Sequence, residues 1–159
     1  MKRITKKDKA GHPFEIAKAT ASDVPVIMDM YRDFSPRPGS QGLPPEDPEA
    51  CLSWVEKLIR IGENILAWRN GKVIGHAALV PDLAKKTGEF VIFVHQDSRN
   101  LGIGTELART SLENAKKLGL ESVWLTVAVT NFVAIRLYVK LGFEYCDLDE
   151  CERTMIMKL

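Results

Sequence analysis

The sequence predicts an α/β domain built on a mixed β-sheet, and three observations support this. Segments with strand and helix patterns follow one another in the order β, α, α, β, β, β, α, β, α, β, β. Asn70-Gly71 separates two apolar runs, a pattern typical of an antiparallel hairpin. A length of 159 residues, with 45% hydrophobic and 27% charged residues, fits a single globular core.

The N-terminal half is expected to contain one strand, two helices and a proline-rich loop. The strand covers residues 14–17, the first helix runs from Ser22 to about Phe34, the loop covers residues 35–45, and the second helix begins at Asp47. Ser or Asp followed by proline is typical of a helix start, and the second helix has apolar residues at helical spacing. The loop is interpreted either as a substrate-facing lid or as a plain surface excursion.

The C-terminal half is expected to alternate strands with two helices. Strands are predicted at residues 64–69, 72–79, 89–94, 122–127, 143–146 and 154–157, with helices at about 101–118 and 132–141. The run at 89–94 is continuously apolar or β-branched after its first residue, so it should be a central strand covered on both faces. Gly119 and Gly142 follow the helices and are typical of helix ends. His76 falls on a strand and is expected to be packed or solvated rather than catalytic.

Composition and charge narrow the functional classes. Twenty-two Lys and Arg residues against 21 Asp and Glu give a net charge of +1, which argues against nucleic-acid or membrane binding. Three cysteines without Cys-x-x-Cys spacing argue against a disulfide framework or a metal site. No apolar run follows the basic start, so we expect a cytoplasmic protein with a flexible segment at residues 1–12 and one domain at 13–159.

The segment from Arg99 to Thr105 carries the first chemical signal, because it joins the central strand to a helix. Gly102 and Gly104 let the backbone approach a ligand closely, and the first amides of a helix are unpaired and partly positive. A pyrophosphate could be held there by backbone amides without any lysine. The Gly-x-Gly pattern alone is weak, and it matches neither a Walker loop nor a dinucleotide-binding fold.

A second motif lies in the last predicted helix. Asn131 and Tyr138 are seven residues apart, about two helical turns, so they share a face, and Gly142-Phe143 follows. With the Arg-x-x-Gly-x-Gly turn, this Asn-(x)6-Tyr helix resembles the GNAT acetyltransferase superfamily over nearly the whole chain. The resemblance implies a mostly antiparallel sheet of six to seven strands, flanked by about four helices and splayed at its middle by a bulge in the central strand. It also implies acetyl transfer from acetyl-CoA to a primary amine.

The resemblance also implies roles for individual positions. Cofactor binding is assigned to Phe93, Val94 and His95, whose backbone would pair with the pantetheine arm, to Arg99, Asn100, Leu101, Gly102, Ile103, Gly104 and Thr105 around the pyrophosphate, and to Asn131 and Ala134. Tyr138 would point its hydroxyl at the thioester sulfur, where a phenol can protonate the leaving thiolate. An attacking ammonium must first lose a proton, for which Glu89 is the leading candidate base and an ordered water path the alternative.

Two shorter resemblances bear on the acceptor. Residues 88–94, with Glu89, and residues 31–36 resemble stretches of Pat-type bacterial protein-lysine acetyltransferases, although the Arg and Phe run that usually follows is absent. Ribosomal-protein alanine acetyltransferases place a glutamate where this chain has Thr126, which weakens a terminal-amine interpretation based on them. A protein lysine, an N-terminus, a polyamine, an amino acid and an aminoglycoside-like antibiotic all stay open.

Two function classes stay open as well. The first is an enzyme that moves an acetyl or short acyl group directly to an amine of a small molecule or protein. The second is a non-catalytic acyl-CoA sensor, which needs the glycine turn but neither Tyr138 nor Glu89. Because the chain has both, the enzyme is favoured. Homodimers are common in the family, often through the C-terminal strands, but no residue pattern establishes one.

Overall fold

A computed structural model describes residues 3–35, 44–146 and 152–159. Its strands are β1 (Ile4–Lys7), β2 (Pro13–Lys18), β3 (Glu63–Arg69), β4 (Lys72–Asp82), β5 (Thr87–Val94), β6 (Ser122–Ala128), β7 (Glu144–Tyr145) and β8 (Glu152–Lys158). Its α-helices are α1 (Val24–Arg32), α2 (Pro48–Ile61), α3 (Ile103–Lys117) and α4 (Phe132–Leu141). The predicted mixed α/β fold is confirmed. Most of the proline-rich loop, at residues 36–43, lies outside the described residues.

The described strands form one sheet in the order β1-β2-β3-β4-β5-β6-β8-β7. The sheet has eight strands instead of the six to seven expected, and every neighbouring pair is antiparallel except β5 and β6. The predicted hairpin joins β3 to β4, and its turn residues Asn70 and Gly71 have φ angles of 52° and 75°. Both angles suit a type I′ turn, which matches the twist of the flanking strands.

The sheet is open at its middle, as the resemblance implies. Pairing between β5 and β6 stops at Glu89 and Trp124, although β5 continues to Val94 and β6 to Ala128. The expected bulge in the central strand is wrong for the described residues, since the register of β5 with β4 is continuous and the irregularity lies between β3 and β4. The strand β5 is central as predicted, and its side chains pack into the core on both faces, but the cover is incomplete because Val91, Ile92 and Val94 are partly exposed.

The core is divided between the two faces of the sheet. The helices α3 and α4 cover one face, where Phe90, Leu107 and Leu125 are buried. The helices α1 and α2 cover β3 and β4 on the other face, with Tyr31 and Val55 buried. The two faces of the sheet therefore differ, since the described helices α1 and α2 pack over only half of the sheet. None of the described helices combines the length and the apolar character needed to cross a bilayer.

Residues 4–12 of the basic start have defined structure, where a flexible segment was expected. Residues 4–7 form β1, which pairs antiparallel with β2. Asp8 follows, and its buried carboxylate accepts the N–H groups of Ala10 and His12, each at 2.9 Å, and the Arg69 guanidinium. Burial raises the pKa of Asp8, but these hydrogen bonds outweigh it and the net shift is downward. Arg69 is 61 residues away, so no local pattern predicts this anchor.

Candidate active site

A cavity of about 530 Å³ follows the gap between β5 and β6. Val94 and Val127 line it from the α3 and α4 face, whereas Phe34 and Phe93 line it from the α1 and α2 face. Residues of both faces share one cavity, so the opening passes through the sheet. A long molecule lying in the gap can therefore meet a second molecule that approaches from the opposite face.

The N-terminus of α3 forms one end of this cavity. Gly102 precedes the helix with φ 84°, a conformation that glycine adopts without strain, and Asn100 also has a positive φ of 63°. No side chain of the described residues caps the helix, so the amides of Ile103, Gly104 and Thr105 have no protein partner there. By contrast, Asp47 caps α2 by accepting the Ala50 N–H at 2.9 Å. The glycine turn predicted from the sequence is therefore present, and these three amides are open to a ligand.

Most of the site residues assigned from the sequence line this cavity, and three do not. Those that line the cavity are Phe93, Val94, Arg99, Asn100, Gly102, Ile103, Gly104, Thr105, Asn131, Ala134 and Tyr138. His95, Leu101 and Glu89 are not among its lining residues. Three cations that were not assigned line it together with Arg99: Lys9, Arg136 and Lys140. The described lining contains no carboxylate, so a protein with a net charge of +1 concentrates positive charge around this one cavity.

Helical spacing could have revealed two of these cations, since Arg136 and Lys140 are four residues apart on α4. Lys9 had no such signal, because its position depends on the β1–β2 hairpin. Arg99 lies deeper in the site, where its guanidinium stands 5.1 Å over the Phe34 ring and its Nε donates to the Val94 carbonyl at 2.8 Å. Burial lowers the pKa of Arg99 from its very high ordinary value.

The polar edge of β5 differs from the sequence expectation. The His95 N–H donates to the Ile74 carbonyl of β4 at 2.9 Å, so this amide faces away from the gap. Because successive residues of a strand direct their polar groups to opposite sides, Ile92 and Val94 present theirs to the gap. The Val94 N–H is therefore placed to pair with an extended ligand, although the Val94 carbonyl already accepts from Arg99. Phe93 and His95 direct their backbone polar groups to β4 and are not so placed. Ile92 was missed because its side chain gives no hint of its backbone direction.

Tyr138 lies on α4, with its ring centre 5.8 Å from that of Phe143. The side chain is buried and lines the cavity, and its hydroxyl has no hydrogen-bond partner among the described residues. Burial raises the pKa of Tyr138, so the phenol stays protonated and can act as a donor. Asn131 uses its side-chain oxygen to cap α4, accepting the Ala134 N–H at 3.3 Å, which leaves its NH₂ group to donate to a ligand.

Glu89 occupies the last paired position of β5, at the narrow end of the gap. The strand registers align Val80, Glu89, Trp124 and Ile156 in one row across the sheet, on the face of α1 and α2. All four are partly exposed, and we call them the Glu89 row. The carboxylate thus stands between apolar side chains outside the cavity lining, so proton transfer from a molecule in the gap would require a water.

The wall formed by Phe34 and Phe93 is supported by a buried polar chain. Asn64 donates its Nδ2 to the Leu58 carbonyl, so its oxygen accepts the His76 Nε2–H at 2.8 Å. His76 Nδ1 then accepts the Tyr31 hydroxyl at 2.7 Å. Burial lowers the pKa of His76 to about 4, which keeps the ring neutral. The expectation that His76 is packed is confirmed, and Tyr31 in turn packs edge-on against Phe93, with ring centres 6.0 Å apart.

Known proteins share this sequence pattern and fold. The Acetyltransferase (GNAT) family pattern matches residues 26–143. An N-alpha-acetyltransferase of Sulfolobus acidocaldarius is 31% identical, over 91% of this chain and 88% of that protein. The GNAT domain of S. lividans PAT superposes with a TM-score of 0.86 at 14% identity, covering 99% of this chain and 97% of that one. PaiA N-acetyltransferase of Thermoplasma acidophilum, solved in complex with coenzyme A, gives 0.71 at 20% identity, covering 92% and 99%.

Proposed function

Because the chain belongs to the GNAT acetyltransferase family, and is therefore an acetyltransferase, we propose that it moves an acetyl group from acetyl-CoA directly to a primary amine. The observation that carries this proposal is the cavity through the sheet. It joins the uncapped N-terminus of α3 to the open hydroxyl of Tyr138, and it opens to both faces. A donor and an acceptor can then react without a covalent enzyme intermediate.

The donor side fits acetyl-CoA in shape and charge. The amides of Ile103, Gly104 and Thr105 suit a diphosphate, and the surrounding cations add charge complementarity. The free edge of β5 suits an extended amide-containing chain such as pantetheine, which can pair with it as a further strand would. A structural neighbour in complex with coenzyme A supports the same choice of donor.

Two side chains then divide the acid and base work. Glu89, acting through a water, accepts a proton from the acceptor ammonium and leaves a neutral amine. The amine nitrogen bonds to the acetyl carbon as the carbon–sulfur bond breaks, and the nitrogen releases its second proton to solvent to leave a neutral amide. Tyr138 donates its hydroxyl proton to the departing thiolate and recovers a proton from solvent. The two residues lie on opposite faces of the sheet, which matches the two faces from which donor and acceptor would approach.

For the acceptor we favour an α-amino group, on a peptide or an amino acid, next to an apolar side chain. The name of the Sulfolobus relative supports the α-amine, and its likeness covers most of both chains. The 14% identity to the PAT domain supports only the fold, so it gives a lysine acceptor less weight. The Glu89 row supports the apolar neighbour, because Trp124 lies beside Glu89 on β6 and Ile156 lies beside Trp124 on β8. Because this chain has Thr126 where the ribosomal-protein enzymes have a glutamate, its catalytic base must be a different residue.

The test measures release of free thiol from acetyl-CoA with a panel of amines. The panel contains a peptide with an N-terminal methionine, the same peptide with its N-terminus blocked and one lysine added, and spermidine. We expect turnover with the first peptide, and loss of turnover in Tyr138→Phe but not in the exposed-position control Tyr145→Phe. Binding of coenzyme A without thiol release for any amine would instead identify a sensor. Turnover only with the lysine peptide would overturn the α-amine assignment.

A further inference from the structure

The turn between β1 and β2, at residues 8–12, is held rigidly beside the N-terminus of α3. The Asp8 carboxylate fixes the turn from inside by accepting the N–H groups of Ala10 and His12, and the Asp8 N–H donates to the His12 carbonyl at 2.8 Å. The ion pair with Arg69 ties the same carboxylate to β3. This segment is charged and short, but its geometry is set by buried contacts.

Lys9 connects this turn to the cavity. Its backbone N–H donates to the Leu101 carbonyl at 2.9 Å. Its side-chain atoms Cγ and Cε both lie 3.6 Å from the point where a Cβ on Gly102 would stand. The lysine stem therefore runs alongside the residue that begins α3, and Lys9 is one of the residues that line the cavity.

The carboxylate of Glu106 does not neutralise the positive charge of Lys9. Glu106, in the first turn of α3, is paired with Lys6 at 3.8 Å and with Arg109 at 3.2 Å, and it does not line the cavity. The start of α3 thus has three unpaired amides, and the Lys9 side chain runs alongside it. A helix N-terminus supplies about half a unit charge, which is less than a diphosphate diester carries. A lysine at this place adds positive charge as a point charge, together with the other cations that line the cavity.

We propose that Lys9 is a donor-binding residue that contacts the diphosphate of acetyl-CoA, so that the N-terminal hairpin forms part of the donor site. This proposal rests on the proposed function, which names acetyl-CoA as the donor. Lys9 sets affinity for the phosphate-bearing end of the donor and leaves the chemical step to residues around Tyr138. The turn matters here because its hydrogen bonds fix the Lys9 backbone beside α3 before the ligand arrives, so that only the side chain has to be ordered on binding.

The test compares Lys9→Met with the matched control Lys7→Met. Both variants remove one positive charge from the same hairpin, but Lys7 lies on β1 and does not line the cavity. Calorimetry measures the Kd of coenzyme A and of 3′-dephospho-coenzyme A, which share the diphosphate. We expect Lys9→Met to weaken both about tenfold, equivalent to about 1.4 kcal/mol, with Lys9→Arg close to wild type. The kcat/KM for S-acetylpantetheine, which has no phosphate, should not change.

Each other outcome contradicts a different statement. Equal affinities in Lys9→Met, Lys7→Met and wild type would overturn the role of Lys9. A loss for coenzyme A but not for its dephospho form would move the contact to the 3′-phosphate and overturn the diphosphate assignment. An equal loss with S-acetylpantetheine would show that Lys9 acts on the fold rather than on the phosphates. A wild-type protein that binds neither nucleotide would contradict the proposed donor itself, and the Lys9 assignment would fall with it.

Discussion

Acid should destabilise this protein through one buried side chain, His76. Its ring is fully buried, and its pKa is about 4 in the folded protein against 6.5 for an exposed histidine. Between these two values the unfolded chain binds a proton that the folded protein does not. The free energy of unfolding therefore falls as the pH falls, by at most about 1.4 kcal/mol per pH unit. The contribution is complete above pH 6.5 and is lost on approach to pH 4, a total of roughly 3 kcal/mol.

The variant His76→Gln isolates this contribution. A glutamine can accept from Tyr31 and donate to Asn64, as His76 does, but it does not titrate. We expect the variant to be less stable than wild type at pH 7.5, because a glutamine fills the aromatic cluster less well. The stability difference should then shrink by about 2 to 3 kcal/mol between pH 7.5 and pH 4.5.

Urea denaturation at pH 7.5, 6.5, 5.5 and 4.5 measures this difference. All other residues are the same in both proteins, so their contributions cancel in the comparison. Asp8, whose lowered pKa contributes stability that is lost only as the pH falls below about 4, stays outside the chosen range. A difference between wild type and His76→Gln that stays constant from pH 7.5 to 4.5 would refute the assignment of a buried, neutral histidine.

Three further predictions concern the reaction. Tyr138→Phe should lower kcat by about 100-fold with little change in the Kd of acetyl-CoA, since the hydroxyl is needed only as the thiolate leaves. Single-turnover rates measure the first effect and calorimetry measures the second. An unchanged kcat would remove Tyr138 from the mechanism. Glu89→Gln should depress kcat/KM most at low pH, where more of the acceptor is protonated, so a wild-type pH–rate profile would contradict the base assignment. Trp124→Ala should raise the acceptor KM several-fold and leave that of acetyl-CoA unchanged; equal effects on both would indicate a role in the fold.

Local sequence patterns were sufficient to predict the helices, the strands, the turns and much of the candidate site. The Asn70-Gly71 turn needs only positive φ angles at two adjacent residues, and the cap at Asp47 needs one carboxylate and the next amides. The glycine turn before α3 and the placement of Asn131 and Tyr138 on one helix are also local features. Each depends on residues within about eight positions of one another, so the sequence contains the full signal.

Contacts between distant segments decided the rest. The structure of the turn after β1 depends on the ion pair between Asp8 and Arg69. The position of Lys9 beside α3 depends on the structure of that turn. The direction of the β5 edge, which turns Ile92 to the gap and His95 away, follows from pairing with β4. Glu89 lies outside the cavity because pairing with β6 continues up to its position.

What the sequence determined by itself is therefore the set of helices, strands and turns, and the two motifs that present an anion site and a phenol. What only the tertiary structure decided is which backbone edges, charges and carboxylates meet around the gap. The physical reason is that hydrophobic periodicity and turn geometry act over a few residues, whereas burial, strand register and ion pairing are set by parts of the chain that meet only after folding.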